Sequence, residues 1–134
     1  MEHQIFENEY GLTVSQIMSA LVVMSFNGTE RVYTINDDDV THGISFIQSW
    51  RGSYDEPSFR MESDSDVFVN DVQSQLSRIF RGEEFTGYKG GNYVFNKDQI
   101  LRVTRYGEAT DRRIVKVSKS DDGIIYFHTQ VFEW

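Results

Sequence analysis

The chain has no cysteine and only one proline in 134 residues. Without cysteine there can be no disulfide scaffold, zinc finger, thiol nucleophile or iron–sulfur site. The absence also fits a reducing cytosol. A single proline leaves no room for a proline-rich linker. No apolar run approaches the ~18 residues that would span a bilayer, so no membrane association is expected. The start, Met1-Glu2-His3-Gln4-Ile5-Phe6-Glu7, lacks the basic and apolar regions of a secretory signal. The expectation is a protein that stays where it is made. His3, His42 and His128 show no metal-ligand spacing, and neither a Gly-x-Ser-x-Gly elbow nor a His-Glu-x-x-His helix occurs. No catalytic residue, metal or cofactor is assigned, and the reading is a non-enzyme.

The residues present describe a globular chain. Hydrophobic residues make up 39% and charged residues 25%, and aromatics are abundant at 14%, which is not a disordered composition. The length fits one domain spanning residues 1–134. The net charge is −8, with a pI near 4.8, so bulk nucleic acid and anionic membranes are repelled. The charge is uneven: residues 1–66 sum to −9 and residues 67–134 to +1.

Periodicity gives two helices. Leu12 to Met24 carries Ile17, Leu21 and Met24 on one stripe, and Val14, Met18, Val22 and Val23 widen it to a helix buried on most sides. Thr13 with Gln16 makes a capping box, and Asn27-Gly28 marks the stop. Asp66 to Arg81 places Val69, Val72, Leu76, Ile79 and Phe80 on one face, with Asp64 or Ser65 as cap and Gly82 as the left-handed terminator. Strands are expected at residues 31–36, 43–51, 92–95, 99–106, 113–119 and 124–132, with a tight turn at Asp122-Gly123. Gly52 to Asp66 reads as a long loop. The class is α+β, with an antiparallel sheet of about five strands and two main helices.

Two segments carry recognition chemistry. In Thr86-Gly87-Tyr88-Lys89-Gly90-Gly91-Asn92-Tyr93, the glycines permit close backbone approach to an anion, Lys89 adds charge, and Tyr88 and Tyr93 offer stacking faces. In Trp50-Arg51-Gly52-Ser53-Tyr54-Asp55-Glu56-Pro57, Arg51 can fork onto a phosphate while Trp50 and Tyr54 stack on a base. The plainer readings are a glycine turn for the first, and a core Trp50 with Arg51 paired to Asp55 or Glu56 for the second. Asp37, Asp38 and Asp39 form an acidic run beside His42. A solvated face explains that run better than a metal site. Arg102, Arg105, Arg112, Arg113, Lys116 and Lys119 recur along adjacent strands, where a basic stripe competes with ordinary solvent-facing positions.

The segments Ser49 to Asp55 and Phe85 to Tyr93 resemble those of a family of small, uncharacterised bacteriophage accessory proteins with a Thr-Gly-Tyr-Lys-Gly-Gly motif. The resemblance covers residues 44–107, and Glu108 to Trp134 match nothing. It implies a phage origin and an accessory role in the cytoplasm of an infected bacterial host, and counter-defence is expected because small phage accessory proteins often neutralise something in the host. On that footing the first expectation is sequestration, without catalysis, of a phosphate-bearing, nucleotide-like immune signal. Its ligand residues would be Trp50, Arg51, Tyr54, Tyr88, Lys89, Gly90, Gly91 and Tyr93. The alternative is an acidic inhibitor or nucleic-acid mimic that binds a host defence protein through Asp37, Asp38 and Asp39. Either could act as a homo-oligomer, and neither binds nucleic acid directly.

Overall fold

The computed structural model describes residues 6–63, 66–87, 90–105 and 108–133. The elements in chain order are β1 (Phe6–Glu7), α1 (Val14–Met24), β2 (Val32–Ile35), β3 (Thr41–Trp50), β4 (Ser53–Glu62), α2 (Val69–Phe80), β5 (Glu84–Thr86), β6 (Asn92–Val94), β7 (Arg102–Thr104), β8 (Arg112–Lys119) and β9 (Ile125–Val131). The class is α+β. The expected antiparallel sheet of about five strands is instead a mixed sheet of seven, ordered β1-β8-β7-β4-β3-β2-β9, beside a two-stranded β5-β6 hairpin. β2 runs parallel to β9, and β4 runs parallel to β7.

β8 also pairs with β9, so the pairing closes on itself through β7, β8, β9, β2, β3 and β4. Closure removes the exposed strand edges that invite aggregation. β2 and most of β9 alternate buried with partly exposed residues, whereas β7 is buried throughout. Phe59, Val103, Ile114, Val117, Ile125 and Phe127 are buried, and the Phe59 and Phe127 rings meet at 6.2 Å. One core cluster joins these residues to Val14, Ile17 and Leu21 of α1 and to Val69, Val72 and Leu76 of α2.

The expected long loop from Gly52 is strand β4, hairpin partner of β3. Its Ser, Asp, Glu and Pro residues have poor β propensity, but Phe59 and Met61 point inward and tertiary pairing overrides the local preference. Pro57 sits at the irregular part of the β3–β4 ladder, one residue before β7 joins at Ser58, a position a strand proline can occupy.

Both helices form near their expected places. In α1 the capping box is complete: the Gln16 amide donates to Thr13 Oγ1, and the Thr13 amide donates to Gln16 Oε1. Burial covers only one stripe, however, and Val22 and Val23 stay more than half exposed. α2 begins three residues later than its periodicity suggests. Asp71 accepts the Phe68 amide at 3.0 Å, whereas Asp66 stays outside the helix and pairs with Arg31. The suggested caps Asp64 and Ser65 lie outside the described residues. Gly82 and Gly123 take the positive φ that their turns require, +72° and +84°.

Glu30 ties α1 to the strands. Its carboxylate accepts from the Ser25 hydroxyl at 2.7 Å, the Phe26 amide at 2.6 Å and Lys119 Nζ at 3.3 Å. Lys119 also donates to the Met24 carbonyl at the end of α1. Burial pushes the Glu30 pKa up, but the Phe26 amide, the Ser25 hydroxyl and Lys119 outweigh it and bring the value down to about 2. A folded-state value below the unfolded one stabilises the fold above the unfolded pKa and is lost as pH falls through the folded one. Urea unfolding should therefore show stability falling between pH 4.5 and about 2. Glu30→Gln should be less stable at neutral pH and flatter across that window. Parallel curves for the two proteins would exclude this role.

Candidate functional site

The β3–β4 ladder opens at its turn. Ser49 pairs with Pro57 and Trp50 with Ser53, so Tyr54, Asp55 and Glu56 bulge from β4 without partners on β3. The bulge turns Tyr54 toward the small hairpin, where its ring stacks on Tyr93 with centroids 6.1 Å apart. Gln99 donates to the Asp55 carbonyl at 2.7 Å and holds the bulge from below. The glycine loop wraps the same tyrosine. A Cβ on Gly87 would stand 2.4 Å from the Tyr93 ring, so only glycine fits there. The Gly87 amide donates to the Gly91 carbonyl, and the Gly90 amide donates back to the Gly87 carbonyl at 3.0 Å. Gly90 has φ +90° and faces open space.

The two recognition segments thus meet on one surface through Tyr54 and Tyr93. Arg51 is exposed at the β3–β4 turn, and Gly90 and Gly91 are exposed beside Tyr93. Tyr88 and Lys89 lie outside the described residues. Trp50 is placed differently from a stacking residue. It is buried, its indole N–H donates to the Thr110 carbonyl at 3.0 Å, and the Arg102 guanidinium covers its ring at 3.8 Å. Gly52 is packed against the same ring, 2.4 Å from where a Cβ would sit. Trp50 therefore anchors the turn that presents Arg51.

The basic stripe resolves into separate jobs. Arg102 and Arg113 face each other across β7 and β8, and both bind Asp111. Arg102 Nε donates to Asp111 Oδ1 at 2.6 Å, and Arg113 reaches Oδ1 and Oδ2 at 3.0 and 2.9 Å. Arg102 also pairs with Glu56 at 3.0 Å, which ties the bulge to this cluster. Arg113 also donates to the Tyr10 carbonyl and lies over the Phe132 ring. The Arg102 side chain is only 5% exposed, so it is not a solvent-facing strand position. Burial pushes the Asp111 carboxyl up, but hydrogen bonds from Arg113 and Arg102 override it and hold the carboxyl below its usual range.

Asp37, Asp38 and Asp39 occupy the exposed tip of the β2–β3 hairpin. Asp39 has φ +63°, and Asp38 accepts the Val40 amide. Among the described residues no three His, Asp or Glu side chains come together as a metal-binding group. His128 bonds its Nε2 to the Ser118 hydroxyl at 2.7 Å on the outer sheet face. Burial, aided by Lys116, lowers its pKa, so the ring is neutral at pH 7. A hydroxyl paired with a neutral imidazole has nucleophile–base geometry, a pairing that sequence spacing did not reveal. Neither residue lines the cavities at Ser45–Gln75, His42–Arg105 and Gly28–Asp71. No described helix is long and apolar enough to cross a membrane.

Comparisons with family models, with curated proteins and with solved structures found no match to this chain.

The buried cluster predicts a large penalty for Asp111→Asn. Two guanidiniums would be left facing each other, a loss of about 3–5 kcal/mol in urea unfolding. Adding Arg113→Met should recover part of the loss, because one uncompensated charge is removed. A single-variant loss below about 1 kcal/mol would show that Asp111 does not hold the pair.

Proposed function

We propose that this protein is an accessory protein of phage origin that holds a phosphate-bearing, nucleotide-like small molecule without turning it over. The supporting observation is the Tyr54–Tyr93 contact, which joins the two segments singled out by their chemistry. A planar base would stack at the tyrosine pair, a sequence-tolerant contact of about 1–3 kcal/mol. Arg51 would fork onto the phosphate, and the Gly90-Gly91 backbone would approach it closely, with Lys89 adding charge and Tyr88 a second face. Trp50 serves the site by fixing the turn. Holding a ligand requires no acid–base pair. The working compartment is the cytoplasm of the infected bacterium, and the role is to remove an immune signal.

A second reading draws on the exposed acidic tip. Asp37, Asp38 and Asp39 stand clear of the sheet and could present a phosphate-like array to a host defence protein. That complex would weaken strongly with salt.

Native mass spectrometry of protein purified from infected, defence-expressing cells tests the first reading. A nucleotide-sized mass should be released on denaturation. Arg51→Ala and Lys89→Ala should lose it while keeping the thermal midpoint of the parent. Retention of the ligand by both variants would overturn the assignment. A chemically altered ligand would overturn binding without turnover. A ligand-free protein whose host complex dissociates when all three aspartates are neutralised would favour the acidic reading instead.

A further inference from the structure

The ends of β3 and β4 away from the Arg51 turn frame a second opening. His42 and Gly43 begin β3, Glu62 ends β4 opposite Gly43, and Arg60 lies beside Thr104 at the end of β7. Arg105 follows directly. Together His42, Arg60, Met61, Glu62, Ser63 and Arg105 line a cavity of about 520 Å³ at the mouth of the closed sheet. The cavity is large enough for a small metabolite. Eight residues of β3 separate it from Trp50, about 26 Å at 3.3 Å per residue, so it is distinct from the tyrosine face.

We infer that this mouth binds a compact phosphate group, through Arg60 and Arg105. The two guanidiniums differ in a way that suits capture. Arg60 is held in place: its Nε lies 2.8 Å from Glu62 Oε1, and its guanidinium stands 5.9 Å from the Phe46 ring centre. Glu62 is itself held by the Ser45 hydroxyl at 3.4 Å. Arg105 is exposed, and its guanidinium makes no hydrogen bond or ion pair among the described residues, while its backbone amide is tied to Glu108 at 3.2 Å. One arginine is preorganised, and the other can close on the bound group. Arginine suits phosphate because its fork makes two parallel charge-assisted hydrogen bonds. The His42 ring N–H and the Ser63 hydroxyl add two further donors. With Glu62 present, the two arginines leave one net positive charge. That balance favours one phosphate over a polyphosphate, and Glu62 and Ser63 can accept from hydroxyls on an attached ester.

Amide-resolved NMR titration tests the inference, with inorganic phosphate and glycerol 3-phosphate as separate probes. Saturable shifts should map to His42, Arg60 to Ser63 and Arg105, with midpoints below about 10 mM, weaker than −2.7 kcal/mol being indistinguishable from bulk ion effects. Tighter binding of the ester identifies a phosphate monoester as the natural occupant, and tighter binding of inorganic phosphate identifies the free ion. Arg105→Gln should weaken binding about tenfold. Arg51→Ala should leave it unchanged. Absence of saturable shifts, equal affinity in Arg105→Gln, or shifts centred on Tyr54 and Tyr93 would each overturn the inference.

Discussion

The closed strand circuit depends on one carboxylate. β7 is three residues long and meets β8 through a single register pair, Arg102 opposite Arg113. Like charges directly across a ladder repel, and here Arg102 is also buried. Asp111 removes the conflict by accepting from both guanidiniums, with Oδ1 shared between them. Glu56 takes the second arm of Arg102 and the Tyr10 carbonyl takes another of Arg113. The cluster holds two positive and two negative side chains and is neutral as a unit. A buried set of ions is sustained only when each member is hydrogen-bonded in this way.

The same cluster shapes the tyrosine surface. Glu56 reaches Arg102 because β4 bulges between Ser53 and Pro57. That bulge also turns Tyr54 onto Tyr93. Trp50 lies between the two events, with Arg102 over its ring and Thr110 accepting its N–H. The turn that exposes Arg51 therefore rests on an indole clamped by the ion network. A buried ion network behind the tyrosine surface thus sets the aim of residues on that surface.

The sequence was legible where local physics dominates. Thr13 and Gln16 signalled the start of α1 because a capping box is a four-residue event. Gly82 and Asp122-Gly123 signalled turns because positive φ selects glycine. β4 was hidden because its pairing partners, β3 and β7, supply what its own Ser, Asp, Glu and Pro residues do not. Parallel pairing was hidden for the same reason, since β2 with β9 joins segments about ninety residues apart that no window can compare. Of the candidate site, the aromatic and glycine composition of both segments was readable, and so was the alternative that Trp50 is core. The burial of Arg102 was not readable, because its partners Glu56 and Asp111 stand 46 and 9 residues away. The mouth formed by His42, Arg60 and Arg105 had no single-window signal, since the β3–β4 and β4–β7 pairings bring those three strand ends together.

The β2–β3 hairpin sets the acidic tip near the arginine-lined mouth. The acidic tip Asp37–Asp39 leads straight into β3, so Asp39 lies three residues from His42, within about 10 Å by chain length. His42 lines the same cavity as Arg60 and Arg105, so the tip and the mouth adjoin at that strand end. The exposed tip carboxylates would repel a long polyanion nearing the mouth. On the phosphate reading, a compact phosphate would meet Arg60 and Arg105 inside the cavity, where Glu62 is the one lining carboxylate. Selection by size then follows from electrostatics without any steric gate. The phosphate reading thus fits local arginines within a chain of net charge −8.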